Sequence, residues 1–497
     1  VVVYEIAPLV EKTPHEFDKD SLKSKDMKDS PIRYCVLALA CMLCFGSYFV
    51  YDNPSALAPQ LMDTYDINSL EFNLLYSVYS FPNIVLPFFG GYLVDFLGVR
   101  IGICIFSGLV CLGQAIFAFS ADIANYPVAL VGRIVFGLGG ESLNVAQSAI
   151  VAKWFEGKEM AMALGLNVSI SRLGSVLNDW TEPAMAEGTG SVVLGLWVGF
   201  VVCVISLGCG VWLCFYDWKR DKQQGIDRNT ISEGDRVKIS DIRTFGKSFW
   251  LISFNCMVVY ICVMPFNNIA SIYFQKRFGM SSAVAGLIIS ITYIISAVLS
   301  PFIGRWVDKF GHRVHLILFS AIDVTVVHIS LMLIPDCDGC YWGAISLAFL
   351  GLGYAVYAAV MWAAIPYTVE AKTIGTAFGV ATAVQNFGLA VGPLIVGGLI
   401  DGTSLQDGYF WASMFFIFMG ALGIISAILL GIVDKNNNGV LNSRDPRLLM
   451  ENLMVSHVMK KSEVDSDLPE NIKNILSSPT AQRDLRNSYV KRSMANK

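Results

Sequence analysis

"GYLVDFLGVR", residues 91–100, returns as "GRWVDKFGHR" at residues 304–313. Gly91, Asp95, Gly98 and Arg100 fall on Gly304, Asp308, Gly311 and Arg313 at a constant offset of 213 residues. The echo continues at an offset of 214, where Glu156, Lys158, Ala163, Gly165 and Gly174 meet Glu370, Lys372, Ala377, Gly379 and Gly388. Solenoid units repeat every 20–50 residues or so; a period near half the chain means two copies of one large plan.

Working outward from the repeat, the composition sets the solvent. The chain has 497 residues, 54% hydrophobic and 15% charged, with a mean hydropathy of +0.55, which excludes an ordinary soluble enzyme. Apolar runs lie near 33–51, 72–92, 101–120, 124–150, 160–178 and 191–216, and again near 248–274, 282–304, 314–335, 341–366, 373–400 and 408–433. Each approaches the ~20 residues that cross a bilayer. Backbone in lipid must satisfy its own hydrogen bonds, and the period-2 alternation of a barrel is absent, so an all-α membrane protein with twelve transmembrane helices is predicted. The expected divisions are a disordered tail (1–32), a six-helix bundle (33–216), a linker (217–247), a second six-helix bundle (248–434) and a second, largely disordered tail (435–497).

Basic residues predict the orientation. Lys12, Lys19, Lys23, Lys25, Lys28 and Arg33 precede the first run, and eight Lys or Arg lie between Lys219 and Lys247. The loops at 52–71, 121–127, 179–190, 336–340 and 401–407 have none, so both termini and the central linker are expected in the cytosol. Lys276 and Arg277 are the exception on the far side. Most of the twelve cysteines sit singly inside runs as small apolar residues; Cys337 and Cys340 in "DCDGC" could be a disulfide or free thiols.

The G-x-x-x-D-x-x-G-x-R loop, present after the second and eighth runs, resembles the signature of the major facilitator superfamily. The resemblance implies two pseudo-symmetric six-helix bundles working by alternating access, with Gly91, Asp95, Arg100, Gly304, Asp308 and Arg313 as a latch that holds the cytosolic side shut in the outward-open state. In physical terms glycine admits a neighbouring helix, and the aspartate can meet a helix N-terminus and the nearby arginine. Arg133 in "GRIVFGLGG" resembles the superfamily's fourth-helix R-x-x-x-G-x-G pattern, for which a structural role is expected. A narrower likeness rests on "CFGSYFVYDNPSAL" (44–57), "GRIVFGLGGESLNVAQ" (132–147), "SRLGS" (171–175) and "GTAFGVATAVQNFGLAV" (375–391). These stretches resemble lysosomal dipeptide uniporters of that superfamily, over residues 33–434.

Two charges stand out. Glu141 lies in an apolar helix, where an ionised group costs roughly 2.5–3.5 kcal/mol or more. Gly137, Asn144 and Ser148 share its face; Gly165, Ser169 and Ser175 share the face of Arg172 on the next run. A buried ion pair would add little net stability, so a functional reading is favoured: Glu141 for an ammonium, Arg172 for a carboxylate. Sites on two helices suit a dipeptide, whose charged ends lie one residue further apart than those of an amino acid. The resemblance implies the same two residues, with broad side-chain selectivity. In the second half, Arg172 and Glu141 correspond to Asn386 and Ala355, so Gln385 and Asn386 supply a polar, uncharged wall. With Asn144, they complete the polar candidates; Tyr76, Tyr293, Tyr354 and Trp362 are candidate aromatic walls.

Uniport from lumen to cytosol is the favoured reading. A proton-coupled carrier of amino acids or organic anions and a transport-inactive receptor or scaffold are the rivals. Asp323 and His328 are expected to serve structure, while Asp179 and Glu182, at the lumenal end of the fifth run, could titrate in an acidic lumen but read first as solvated loop charges. No nucleotide loop, zinc constellation or nucleophile setting appears, so no enzyme, metal or cofactor is expected, nor a nucleic-acid partner. "DKNNNGVLNSRD" (434–445) mimics a calcium loop but lacks the final glutamate and reads as a turn leaving the bilayer. "EIAPLV" approximates an acidic dileucine sorting signal through Glu5, Leu9 and Val10, in keeping with the lysosomal membrane. The lumenal loops hold no usable glycosylation acceptor: Asn167 lies within a run and Asn53 precedes Pro54. The resemblance implies a glycosylated single-span accessory subunit that shields them.

Overall fold

The computed structural model describes residues 32–87, 98–155, 160–224, 239–369, 373–403 and 405–444. Among them the chain forms fourteen α-helices and no strand. The first half runs α1 (Ile32–Tyr51), two short helices α2 (Asn53–Ala56) and α3 (Ala58–Tyr65), then α4 (Ser69–Asn83), α5 (Val99–Asp122), α6 (Tyr126–Phe155), α7 (Met160–Thr189) and α8 (Val193–Gln224). After a 3-10 turn at Ile239–Thr244, the second half runs α9 (Lys247–Phe278), α10 (Ser282–Phe310), α11 (Arg313–Leu333), α12 (Trp342–Ala364), α13 (Ile374–Asp401) and α14 (Leu405–Asn436).

Ten of these helices are long and apolar enough to cross a membrane. The other two long ones are α4, described for 15 residues, and α7, which carries Arg172, Asp179, Glu182 and Glu187. The twelve alternate in direction, so Ile32 and Asn436 lie on one side, the terminal face; the α1–α4 connection and the 334–341 loop lie on the opposite, distal face.

Within the first half, α5 and α6 touch backbone to backbone. A Cβ on Gly132 would stand 2.7 Å from Phe117 N, and one on Gly113 2.6 Å from Phe136 Cα. Small residues draw helices together in lipid because close contact and dispersion replace the hydrophobic drive that oil removes.

The halves meet along α7 with α10 and α4 with α13. Asn68 caps α4, accepting from Glu71 N at 2.9 Å, while Glu71 accepts from Asn68 N at 3.0 Å. Asp401, at the end of α13, accepts from Ser69 N (3.1 Å) and Leu70 N (2.6 Å), placing an anion on the positive end of α4. Gln60 donates to Ser282 (3.1 Å), Ala283 N to Glu187 (2.8 Å), and Trp180 to Ser290 (2.8 Å). The bonds of Asp401, Gln60, Glu187 and Trp180 join the halves on the distal side, which is closed.

Three expectations are refined. Residues 179–190 are not a loop: α7 continues through Pro183 to Thr189, and Asp179 and Glu182 are 2% and 0% exposed. The polar run misleads hydropathy because α2, α8 and α10 cover it. Arg277, against the charge rule, is held by Asp336 at 2.6 Å and by the carbonyls of Leu331 and Ile334. Cys337 is bonded to Cys340.

The 434–444 segment folds back as a turn. Asp434 accepts from Leu441 N (2.8 Å) and Asn442 Nδ2 (3.1 Å), so its carboxylate is engaged by the turn itself. His328 bonds the Cys262 carbonyl at 2.8 Å and stacks on Phe416, and Asp323 fits against Gly353.

Candidate functional site

The site begins with a broken helix. Pro54 lacks the N–H that would bond Val50 O, and α1 ends just before it, at Tyr51. Arg133 of α6 donates to Val50 O (3.3 Å), Tyr51 O (3.2 Å) and Leu75 O (3.4 Å). Its guanidinium lies 5.1–5.8 Å from the rings of Tyr51, Tyr76, Tyr79, Phe117 and Phe136. Arg133 is therefore a scaffold, supplying donors to orphaned carbonyls and fixing the aromatic wall.

Beside this break lies a cavity of about 680 Å³ between the halves. Its walls run from Tyr51 and Tyr354 at mid-depth to Pro87, Ser148 and Gly375 near the terminal ends of their helices. With the distal side closed, it faces the terminal side. Glu141, Asn144, Gln385 and Trp362 line it, as the sequence reading expected. Trp362 is held by a bond from its Nε1 to Tyr260 OH (3.1 Å) and by a stack on Phe378. Glu141 and Arg172 form no ion pair with each other among the described residues; the hydroxyl of Tyr79 approaches the carboxyl of Glu141.

Arg172 stands behind the wall. It is 4% exposed and reaches across the interface, its Nη1 donating to Ser296 Oγ and to Ser300 Oγ (2.9 Å) on α10. The ring of Tyr354, a cavity residue, lies 4.6 Å from its guanidinium carbon. A guanidinium has five N–H donors, and one nitrogen is engaged by the two serines.

Other expected residues are placed elsewhere. Asn386 is buried with its Nδ2 on Thr382 O. Tyr76 packs over Arg133 and against Phe72, away from the wall, and Tyr293 is buried with its hydroxyl donating to Asp52 at 3.2 Å. The cavity instead gains Tyr48, Tyr51, Tyr79 and Tyr260, with Asn83 and Asn167 as polar groups. Tyr48 and Tyr51 share a face of α1 at i, i+3, a spacing that could have flagged them.

Gly91, Asp95, Glu5, Leu9 and Val10 lie outside the described residues. Arg100 is bound within its own half, to Asp217 (2.7 Å) and Asp221, which also hold Lys153. Arg313 likewise donates to the carbonyls of Ser443 (3.1 Å) and Leu441 (3.5 Å). Asp308 is exposed on the last turn of α10, and a Cβ on Gly304 would meet nothing within 4 Å, so the close approach expected of this glycine is not made in this conformation.

The model of the Major Facilitator Superfamily matches residues 39–267 and 248–481, once for each half. The chain belongs to the Major Facilitator Superfamily. Superfamily relatives include the lysosomal dipeptide transporter MFSD1 of Homo sapiens, 37% identical over 82% of this chain and 88% of that protein, and that of Danio rerio, 36% identical over 82% and 89%. Solved structures share the fold: the nucleoside transporter NupG at a TM-score of 0.64, covering 80% of this chain and 99% of that one, and the peptide transporter POT at 0.63, covering 82% and 95%. Both are 13% identical to this superfamily member, so they speak for the fold alone.

Proposed function

We propose that this chain is a dipeptide uniporter of the lysosomal membrane, working by alternating access, with the distal face lumenal and both termini cytosolic. The carrying observation is that Glu141 lines the inter-half cavity while Arg172 stands just behind its wall, under the ring of the cavity residue Tyr354, and the two do not pair with each other. Glu141 takes the substrate's ammonium. Arg172 takes its carboxylate in an arrangement where Nη1 leaves Ser296 and Ser300; in the distal-closed state those serines reclaim it, which weakens the grip and favours release to the cytosol. Asn144, Gln385 and Trp362 contact the middle of the substrate, Trp362 through its ring. The similarity to MFSD1 supports the substrate class, because those relatives are named as dipeptide transporters.

The chemistry needed is binding and release, so no catalytic step is assigned. The latch motif acts in the alternate, distal-open state, when Arg100 and Arg313 are near the closed terminal side. A thermal-shift series on the purified protein tests the substrate class: dialanine should raise Tm by several degrees, while alanine and trialanine leave it unchanged. Equal shifts with alanine would overturn the dipeptide reading.

The distal surface is also proposed to bind a glycosylated single-span accessory subunit that protects it from lumenal proteases. Purification of the full chain from lysosomal membranes in mild detergent should bring down one such glycoprotein in near-equal amount. Recovery of the chain alone, with undiminished lumenal lifetime, would remove the need for it.

A further inference from the structure

Three carboxyl groups play no part in the site above, yet they are among the most buried in the molecule. Asp52 at the break between α1 and α2 is 3% exposed, and Asp179 and Glu182 on α7 are 2% and 0%. Both oxygens of Glu182 and Oδ2 of Asp179 lack a hydrogen-bond partner. Beside Glu182 stands Asn53, fully buried, with both its amide oxygen and nitrogen unpartnered. Among the described residues no ion pair reaches Asp52, Asp179 or Glu182. Arg133 acts on Asp52 from α6, but its donors are engaged by carbonyls.

The other groups facing the cluster are weak acids or neutral. Tyr51 and Tyr76 face Asp52 from α1 and α4, Tyr293 faces Asp52 and Asp179 from α10, and Tyr354 faces Tyr293 from α12. From α9, Asn267 bonds Tyr293 at 3.3 Å. From α8, Gly195 presents bare backbone to Glu182, where a Cβ would collide with Oε2. Among the described residues, no group of three or more His, Cys, Asp or Glu could hold a metal ion, which argues against a divalent cation.

The position of the cluster gives it a use. It lies where α7 meets α10 on the closed distal side: a Cβ on Gly286 would collide with the Asp179 carbonyl, and Tyr293 bridges to Asp52. When these helices part, the carboxyls meet distal water; when they close, any that remain ionised are desolvated without a counter-charge, which is strongly unfavourable.

We propose that Asp52, Asp179 and Glu182 form a proton-binding gate. They take protons from the distal side as α7 closes on α10 and return them to the same side as it opens, so distal acidity promotes the cycle although no proton is carried across. A transporter built this way is active in an acidified compartment and slow at a neutral surface. The inference goes beyond the dipeptide reading and does not require the substrate to be a dipeptide.

The test uses the full chain in proteoliposomes with pH clamped separately on each side. Dialanine counterflow should rise about tenfold between a distal pH of about 7.5 and one of about 5.5, with terminal-side pH having little effect and a lumenal pH dye reporting no dipeptide-driven proton movement. The double variant Asp179→Asn/Glu182→Gln should flatten this profile to within about twofold. A second measurement needs no substrate. Carboxyls held protonated in the fold bind more protons folded than unfolded, so Tm should be highest in acid and fall by several degrees by about pH 7.5, and Asp52→Asn or the double variant should reduce that fall. A folded variant that keeps the native pH profile in both assays, control by terminal-side pH, or stoichiometric proton flux would each overturn the gate. Loss of counterflow with the Tm profile intact would count against the dipeptide reading and leave the gate standing.

Discussion

Replacing Glu141 with Gln is expected to lower dipeptide flux by about a hundredfold, and Arg172→Lys by a similar factor. Glu141→Gln removes one charged partner from a partly desolvated pair with the substrate, a loss of roughly 2–5 kcal/mol, and 1.4 kcal/mol is about tenfold. Lysine keeps the charge of Arg172 but loses the planar fork that grips two carboxylate oxygens. Chemically capped substrates assign the ends. An N-acetylated dipeptide should be poor for the native protein and suffer little further loss in Glu141→Gln; a C-amidated one should behave so with Arg172→Lys. Uptake in proteoliposomes reads both, and native-like flux in either variant would end the two-charge account. On the release side, Ser296→Ala/Ser300→Ala removes the acceptors that reclaim Arg172. Half-saturation should then fall together with turnover, and Ser300→Thr should restore part of both; a structural defect would not lower half-saturation.

The fold was legible because its signal is redundant. Twelve apolar runs and the repeat at 91–100 and 304–313 point to the same halves, and each of the twelve long helices lies on a run, with the short α2 and α3 between the first two. Where hydropathy failed, polar residues faced protein. "DWTEPAMAEGTG" (179–190) reads as a loop, yet its carboxyls at Asp179 and Glu182 are covered by Gly195 of α8 and by α10. Burial of that kind is a tertiary property, and no local pattern carries it. The site divided in the same way. Glu141 and Asn144 face the cavity, as their shared polar stripe on an apolar helix suggests. Arg172 has a similar stripe, but in this conformation it reaches across to Ser296 and Ser300 of α10 and stands behind the cavity wall. Tyr48, Tyr51 and Tyr79 were hidden among aromatics that ordinarily pack, until the break at Pro54 and Arg133 turned them inward.

Gly286→Ala should stop the cycle with the distal side open. An added Cβ would run into the Asp179 carbonyl and lie 3.2 Å from Pro183 Cγ, so α7 and α10 could not close without parting. The obstruction is backbone, and trimming a side chain cannot relieve it; overpacking of this kind costs about 1–3 kcal/mol, enough to shift a balanced equilibrium by about 5–150-fold. Turnover should therefore drop by about tenfold or more while substrate still binds from the distal face. Alanine is also the better helix former by about 1 kcal/mol, so the open state should lose no thermal stability, which separates a blocked cycle from a damaged fold. Gly165 on α7 is the control: its nearest neighbour is Pro301 Cβ at 4.0 Å, and Gly165→Ala should stay within about twofold of native flux. Equal flux from both variants would mean that α7 and α10 do not need this contact to seal the distal side, and that the closure drawn from Asp401, Gln60 and Glu187 is sufficient without it.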